Sequence, residues 1–225
     1  MTTMSKISRG DKGESLVKDE LEKINEYHYV FNDVTFENKK SGMTHQIDHI
    51  LIHPHGVFVI ETKNYYGEII VNNNQWIKIV NNERINISNP LLQNKSHAIT
   101  LYKILKGEYE IIPVVVFVKN NAPYLPDDNA INLSDLLLFI DSYPYDHKYK
   151  KTTIDKIKDK ISKRISDVDK KEHVENISYL KQIRKENQDE IRYAIENRKC
   201  PRCSSPMINK NNVFMCPHCF FKFKI

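Results

Sequence analysis

The stretch "QIDHILIHPHGVFVIETK" (46–63) constrains the fold of this chain more than any other. Two apolar, β-branched runs flank "HPHG" (53–56), where Pro at the second and Gly at the fourth position favour a type I turn in a hairpin loop. A hairpin centred there pairs residues whose numbers sum to 109. This register places Asp48 opposite Glu61, and Lys63 follows on the same face two residues later.

Two carboxylates at directly opposed positions repel one another and destabilise a sheet. A divalent cation between Asp48 and Glu61 would remove this repulsion, and hard oxygen ligands favour Mg²⁺ or Mn²⁺. Lys63 would then lie beside the ion, where an ammonium can hold a water molecule or a developing negative charge. A purely structural cluster of the three charged residues explains the same pattern without a metal. A register shift of one residue would undo the geometry.

The segment "GESLVKDELEKINEYHYV" (13–30) has apolar residues at helical spacing. Glu14 shares the inward stripe of Val17, Leu21 and Ile24. An acid in the first turn of this predicted helix either stabilises the helix N-terminus through the helix dipole or reaches the same metal site. The spacing alone leaves both interpretations open.

The remaining pattern predicts an α/β protein with a mixed sheet rather than a parallel, doubly wound one. The predicted strands are 29–36, 46–52, 57–63, 67–71, 76–80 and the buried run 111–118, and the predicted helices are 89–105, 133–140 and 174–197. One further amphipathic helix is predicted from the stripe Ile154, Ile157, Ile161, Ile165 and Val168.

Several histidines crowd "THQIDHILIHPH" (44–55). His45 and His49 differ in parity from Asp48, so an unbroken strand points them away from the predicted metal site. His97 follows Gln93 by four residues and therefore shares its face of the predicted helix, which makes His97 a candidate for lining the site.

The chain has four cysteines, in the pattern CxxC–x12–CxxC formed by "CPRC" (200–203) and "CPHC" (216–219). This spacing is typical of a tetrahedral zinc site, whose ligands would be Cys200, Cys203, Cys216 and Cys219. Disulfides are the alternative. A segment this small cannot bury enough surface by itself, so zinc would supply its folding energy. Exposed phenylalanines at 214, 220, 221 and 223 would suit base stacking, although some must pack the ribbon.

Formal charge is unevenly distributed along the chain, at −4 over residues 1–149, +5 over 150–199 and +4 over 200–225. Basic trailing parts suit an anionic partner, although solvated lysine-rich helices explain the same excess. No apolar run approaches the ~20 residues of a membrane span. The N-terminus lacks an apolar signal segment, so we expect a cytoplasmic protein without membrane association.

"GDKGE" (10–14), the hairpin and "NPLLQNKSHAITL" (89–101) together resemble the nuclease-related domain, NERD, over about residues 9–140. NERD is a branch of the PD-(D/E)XK nuclease superfamily, whose core is αβββαβ. The resemblance implies metal-dependent phosphodiester cleavage, and Ile47 replaces the proline of the superfamily motif. The implied roles are metal ligation by Asp48, Glu61 and the Thr62 carbonyl, water orientation by Lys63, assistance from Glu14, and contact with the site or the nucleic-acid backbone by Gln93.

"CPRCSSPM" with the second cysteine pair resembles the C-terminal zinc ribbon of bacterial type I topoisomerases, which implies contact with DNA. We therefore predict a restriction-endonuclease-like NERD domain at 9–145, a helical spacer at 150–199 and a Cys₄ zinc ribbon at 200–225. The favoured function is a Mg²⁺- or Mn²⁺-dependent nuclease acting on DNA, with the ribbon aiding nucleic-acid binding. The alternative is a nuclease fold that binds nucleic acid without cutting it. A homodimer is left open, because many nucleases of this fold pair up.

Overall fold

The computed structural model describes residues 9–38, 42–72, 75–119, 125, 127–168 and 170–224. The chain divides into two compact units, Met1–Lys170 and Lys171–Ile225. The domain limits predicted from the sequence stay a prediction. Within the described residues, no helix combines the length and the apolar character needed to cross a membrane.

The first unit holds four α-helices and eight strands among its described residues. In chain order they are α1 Arg9–Leu21, β1 Tyr29–Asn38, β2 Met43–His53, β3 Gly56–Lys63, β4 Glu68–Asn72, β5 Gln75–Val80, β6 Glu83–Ile87, α2 Pro90–Ile104, β7 Ile111–Phe117, β8 Ala130–Asn132, α3 Leu136–Asp141 and α4 Lys151–Ser162. The second unit contains nearly all of α5 Lys170–Asn197, followed by β9 Ile208–Lys210, β10 Val213–Met215 and β11 Lys222–Lys224.

The main sheet is mixed, with strand order β1-β2-β3-β7-β8. The first three strands are antiparallel neighbours, whereas β3, β7 and β8 run parallel. The pairs of β2 and β3 run from His53↔Gly56 to His49↔Ile60, which is the register predicted from the sequence. The mixed α/β class is therefore confirmed.

Helices cover both faces of this sheet. On one face, α2 and α4 pack over a core that includes Ile50, Val59 and Ile157. On the other face, α1 and α3 pack over Leu51, Phe58 and their neighbours. Burial of β3 on both faces explains its continuous apolar run. Only its last two residues, Thr62 and Lys63, are partly exposed, whereas the charged Glu61 before them is buried.

Strands β4, β5 and β6 form a separate antiparallel sheet that packs against the end of β7. Trp76 on β5 is buried and stacks on Phe117, with ring centroids 6.2 Å apart. Trp76 therefore belongs to the core between this small sheet and β7. This small sheet closes one side of the region where β3 and β7 end.

Several predicted element limits are wrong. The first helix begins at Arg9 and ends at Leu21, so Glu14 lies beyond the first turn and is not a cap residue. Strands β6 and β8 were not predicted from the sequence. The helix predicted to include Ile165 and Val168 ends at Ser162, because Ile165 instead bridges Phe36 at the edge of β1.

The pairing of β1 with β2 is interrupted at one position. Asn32↔His49 and Val34↔Ile47 are paired, whereas Asp33 and Asp48 between them are not. Asp33 has a left-handed backbone with φ of 51°, a conformation that aspartate tolerates better than most residues. The alternation of side chains breaks here, since Ile47 joins the same core face as Ile50. Asp48 thus occupies a kink in β2.

Candidate functional site

Asp48 lies where β2 separates from β3. The pairing of the two strands stops at His49↔Ile60, one residue before Asp48 and Glu61 would oppose one another. The half-buried Asp48 carboxylate instead accepts a hydrogen bond from the Thr62 backbone N–H, with Oδ2 2.8 Å from the nitrogen. The strands therefore form a fork, and a carboxylate replaces the missing backbone partner.

Thr62 contributes a second group to this fork. The N–H and C=O of one strand residue point towards the same neighbouring strand. Because the Thr62 N–H faces Asp48, the Thr62 carbonyl is directed to the same edge of β3, beyond the last backbone pair with β2. A backbone oxygen thus joins the two acidic residues at the fork.

Glu61 and Lys63 end β3 on the face covered by α2. The Glu61 side chain is only 4 % exposed, and its Oε1 lies 2.5 Å from the Lys63 ammonium nitrogen. The same ammonium donates to Gln93 Oε1 on α2, at 3.2 Å. Lys63 is therefore held between a buried carboxylate and an exposed amide, at the mouth of the site.

Local interactions fix α2 at this place. Asn89 caps the helix by accepting a hydrogen bond from the Leu91 N–H at 2.9 Å, and Pro90 takes the first helical position. Buried Asn94 donates to the carbonyls of Val59 at 3.0 Å and Val114 at 2.8 Å. Because these carbonyls belong to neighbouring strands β3 and β7, Asn94 joins the helix to the sheet next to Gln93.

His97 also borders the site, in agreement with its four-residue spacing from Gln93. Its Nε2 lies 3.5 Å from Glu61 Oε2, an ion-pair distance without hydrogen-bond geometry. The His45 ring packs edge-on against His97, with centroids 6.5 Å apart. The prediction that His45 points away is therefore wrong, because the kink at Asp48 reverses the alternation. His49 does keep to the other side, where its Nδ1 contacts Asn32 Oδ1 at 2.7 Å.

Glu14 approaches the fork from α1. Its negative charge is among the causes that raise the pKa of Asp48. The contact between α1 and the end of β3 is close, since a Cβ on Gly13 would lie 2.8 Å from the Asn64 Cβ. All five predicted catalytic residues, Glu14, Asp48, Glu61, Lys63 and Gln93, thus belong to elements that meet around the end of β3.

The two central carboxyl groups differ in their electrostatics. Burial, and then the charge of Glu61, raise the pKa of Asp48 to about 8, although the hydrogen bond from the Thr62 N–H lowers it. Burial would also raise the pKa of Glu61, but contacts with His97 and Lys63 outweigh it and lower that pKa. Burial opposes the charge of Lys63, yet Glu61 outweighs burial and raises the pKa of Lys63. Glu61 and Lys63 are therefore a charged pair, whereas ionisation of Asp48 is unfavourable.

These residues fit a hard dication. Two carboxylates and a backbone carbonyl are oxygen donors of the kind that Mg²⁺ and Mn²⁺ prefer. The cost of ionising Asp48 beside Glu61 is the kind of cost that a bound dication removes. Among the described residues, no three His, Cys, Asp or Glu ligand atoms cluster here within 4.8 Å. The oxygen donors at the fork are the Asp48 and Glu61 carboxylates and the Thr62 carbonyl.

The four cysteines form the second candidate site. Their Sγ atoms all lie within 4.8 Å of one another, and Cys200–Cys219 and Cys203–Cys216 are each 3.4 Å apart. These distances are too long for a disulfide, and all four cysteines are free. Tetrahedral zinc–thiolate bonds of about 2.3 Å place sulfurs about 3.8 Å apart. The cluster could therefore hold a metal such as zinc.

The two cysteine pairs have matching backbone turns. Ser204 N–H donates to the Cys200 carbonyl at 2.8 Å, and Phe220 N–H donates to the Cys216 carbonyl at 3.0 Å. Ser204 and Phe220 both have φ of 60°. Bonds from Ser205 lower the pKa of the Cys203 thiol to about 6, which favours the thiolate that a metal requires. This repetition indicates two equivalent turns, which together could hold a metal ion.

The aromatic residues of this segment are only partly available to a ligand. Phe214 is buried and stacks on Phe223, with centroids 5.1 Å apart, so its predicted exposure is wrong. Phe221 is half-buried beneath the Arg202 guanidinium, which lies 4.5 Å from its ring centroid. Phe220 is 74 % exposed. The physical reason is that a three-stranded sheet this small needs Phe214 and Phe223 as its own core.

Comparisons with known proteins identify a family and a curated relative. The chain is 32 % identical over 143 residues to an uncharacterized protein of Bacillus anthracis, in a match that covers 60 % of this chain and 67 % of that protein. No solved structure matches the chain at a significant level. The family described as "Nuclease-related domain", NERD, matches residues 9–118, which include every element around the fork. Through these residues, the chain belongs to the nuclease-related domain family.

Proposed function

We propose that this protein is a metal-dependent nuclease that hydrolyses phosphodiester bonds, with DNA as its favoured substrate. The observation that carries the proposal is the fork between β2 and β3, where Asp48, Glu61 and the Thr62 carbonyl converge beside Lys63. Two acids at the end of a strand pair are electrostatically unfavourable without a cation, as the raised pKa of Asp48 shows. Catalysis by a bound dication accounts for both their presence and their position.

The order of elements supports a restriction-endonuclease-like core. The sequence α1, β1, β2, β3, α2 and β7 has the order helix, three strands, helix, strand, with the small sheet β4–β6 inserted before α2. In this arrangement the site lies at the end of β3, a central strand flanked by β2 and β7. A rigid central strand suits catalytic side chains, because buried neighbours restrict their positions.

The chain's own residues would divide the chemistry as follows. A bound Mg²⁺ or Mn²⁺ would supply Lewis-acid activation of water and of the phosphate. Asp48, Glu61 and the Thr62 carbonyl would hold that ion. Lys63 is charged, and its position between Glu61 and Gln93 suits it to orient a water molecule or to stabilise developing negative charge. Glu14 would assist from α1.

The second unit would aid nucleic-acid binding through a zinc ribbon. Residues 200–225 carry Arg202, Lys210, Lys222 and Lys224 and no acid. Phe220 of the same segment is exposed and can stack on a base. Contacts between such cations and phosphates weaken steeply with salt. The proposed role is therefore affinity for the strand rather than sequence reading.

The test is cleavage of labelled single- and double-stranded DNA and RNA by the full zinc-loaded chain, with Mg²⁺, with Mn²⁺ or with neither. We expect cleavage with one of the two metals. Asp48→Asn and Lys63→Met should each reduce the rate by at least about 10²-fold, because the first removes a charged ligand of the ion and the second removes the cation beside the reacting atoms. Gln93→Ala should reduce it less, since Lys63 keeps its contact with Glu61.

Two controls make the result interpretable. Lys95→Ala changes an exposed cation two residues from Gln93 on α2 and should leave cleavage unchanged. The affinity for the same strands, measured in parallel, distinguishes a nuclease from a protein that binds nucleic acid without cutting it. Strand binding without cleavage under every metal condition would favour a non-catalytic binding module on a nuclease fold, and would contradict the hydrolytic proposal.

A further inference from the structure

A lysine–tyrosine pocket adjoins the candidate active site. Its volume is 630 Å³, within the range of about 300–1,000 Å³ typical of small-ligand sites. We name it the lysine–tyrosine pocket after its lining residues Lys12, Lys78, Lys119, Tyr65 and Tyr66. Asn64 also lines it.

The lining residues come from the elements that build the site. Lys12 precedes Glu14 by two residues on α1, and Asn64 directly follows Lys63. Lys119 follows the end of β7, where the Val118 N–H donates to the Lys63 carbonyl at 3.0 Å. A ligand in the pocket would therefore lie against α1 and the residues that follow β3 and β7, the two strand ends that border the candidate site.

The charge of the pocket is uniformly positive. Its lining includes three lysines and no acid. Within the part of the chain that the structure describes, none of the three lysines forms an ion pair, which leaves their charge available to an anion. The larger groove beside His45 differs, because it mixes Lys103, Lys163 and Arg164 with Glu37 and Asp167.

The two tyrosines have different surroundings. Tyr65 packs against Phe117 with centroids 6.1 Å apart, and the Lys78 ammonium lies 5.4 Å from the Tyr65 ring centroid. Tyr66 is 64 % exposed. Gly67 fixes this corner, since its φ is 108° and a Cβ there would lie 2.1 Å from the Ile79 carbonyl oxygen. Tyr65 is therefore an anchor, whereas the Tyr66 ring is presented to solvent.

We propose that the lysine–tyrosine pocket binds the nucleotide next to the scissile phosphodiester in a single-stranded segment of the substrate. Lys12, Lys78 and Lys119 hold its phosphate, and Tyr66 stacks on its base. Stacking requires an unpaired base, so the pocket selects single strands, frayed ends or flaps over intact duplex. This inference rests on the proposed nuclease function and adds the form of its substrate.

The test measures the affinity of the full zinc-loaded chain for a short fluorescent single-stranded oligonucleotide, by anisotropy in the Asp48→Asn background to prevent cleavage. Tyr66→Ala should weaken binding by about 5- to 150-fold, the range for loss of one stacked base, whereas Tyr66→Phe should stay within about twofold. Lys12→Ala and Lys119→Ala should each weaken binding and lower the salt slope by about 0.7.

The matched control is Lys18→Ala, an exposed lysine on the same helix as Lys12 but outside the pocket. It should bind like the parent protein. Trp76 fluorescence verifies that every variant is folded. On a blunt duplex, Tyr66→Ala should bind like the parent. Inorganic phosphate and a mononucleotide serve as competitors, and only the competition by the mononucleotide should depend on Tyr66.

The outcomes separate this inference from the proposed function. If Tyr66→Ala and both lysine variants bind single strands like Lys18→Ala, the pocket assignment is overturned even if the protein cleaves DNA. Competition by inorganic phosphate alone, without an effect of Tyr66 on strand affinity, also overturns it. Pocket-dependent binding by a protein that never cleaves would support the pocket and refute the nuclease.

Discussion

At the position of Asp48, β2 gives up backbone pairing on both sides. Asp33 opposite it on β1 is left-handed and unpaired, and the pairing with β3 has already ended at Ile60. Ionisation of an acid at such a point is energetically unfavourable, as the rise of the pKa of Asp48 to about 8 indicates. Proteins retain local costs of this kind where they serve binding or catalysis.

This cost gives a pH dependence with a definite sign. The pKa of Asp48 is about 8 in the folded chain and about 3.9 in an unfolded one, so only the folded state holds the proton between these values. The stability that Asp48 contributes is therefore full below pH 4 and is lost as the pH rises through 8. Without Mg²⁺ or Mn²⁺, Asp48→Asn should be more stable than wild type at pH 8, by about 1–3 kcal/mol.

Urea unfolding followed by Trp76 fluorescence at pH 5 and pH 8 measures this effect. Asparagine can still accept the Thr62 hydrogen bond, so the variant removes the charge and keeps the contact. Asp128→Asn, at an exposed acid, is the control and should not change the pH profile. A variant that loses stability equally at both pH values would contradict the electrostatic account.

At the scale of elements, the approach of α1 to the end of β3 determines whether Glu14 and Lys12 reach their sites. In an isolated helix Gly13→Ala would stabilise by about 1 kcal/mol. Here the new Cβ would lie 2.8 Å from the Asn64 Cβ and 3.3 Å from a Thr62 methyl group, so strain should outweigh propensity.

We therefore expect Gly13→Ala to destabilise the first unit by about 1–3 kcal/mol and to lower cleavage more than its stability loss explains. Trp76-detected unfolding and the cleavage rate measure the two effects. Ser15→Ala, at an exposed neighbouring position of α1, should change neither by a comparable amount. A more stable Gly13→Ala protein would show that the helix is free to move away from β3.

The hairpin register could be predicted from sequence, because Pro54 and Gly56 fix the position of the turn and the turn position then fixes the pairs. The kink at Asp48 could not be predicted, since an interrupted ladder leaves no mark on hydrophobic periodicity. The kink therefore places His45 on the face opposite to the one that unbroken alternation predicts. The position of His97 at the site could be predicted from sequence, because its spacing of four residues places His97 and Gln93 on one face of α2.

Short edge elements escaped prediction for a different reason. Strand β8 has three residues and β6 is half polar, so tertiary pairing rather than local pattern defines them. The end of α4 was missed because Ile165 continues the helical stripe in sequence but pairs with Phe36 in the structure. Buried phenylalanines of the cysteine segment were missed because composition does not show which ring forms the core.

At the scale of the whole molecule, the chain combines an acidic first part with basic later parts. Residues 1–149 carry a formal charge of −4, and residues 150–225 carry +9. A polyanion would be attracted to the basic parts and repelled by the acidic one, unless a dication neutralises the fork. The proposed nucleic-acid binding would therefore depend electrostatically on the proposed metal site.

Zinc removal should unfold the cysteine segment of the second unit and leave the first unit folded. A zinc-selective chelator should make all four cysteines react with a thiol reagent, since apparent zinc binding energies of about 10–16 kcal/mol exceed what so small a segment recovers by packing. The chain's single tryptophan, Trp76, lies in the first unit. Its thermal transition should therefore change by less than about 2 °C.

Cysteines that react equally fast before and after chelation would contradict a bound metal. A large fall of the Trp76 transition would show instead that zinc stabilises the first unit too. Reloading with zinc should restore thiol protection and verify that the chelator caused no irreversible damage.

The most direct test of the central claim is binding of Mn²⁺ to the zinc-loaded chain, measured by titration calorimetry and by the electron paramagnetic resonance signal of free Mn²⁺. We predict one Mn²⁺ site that Asp48→Asn and Glu61→Gln each abolish or weaken at least about tenfold, while Asp128→Asn leaves it unchanged. A wild-type chain that binds no Mn²⁺, or a site that survives both substitutions, would contradict the account.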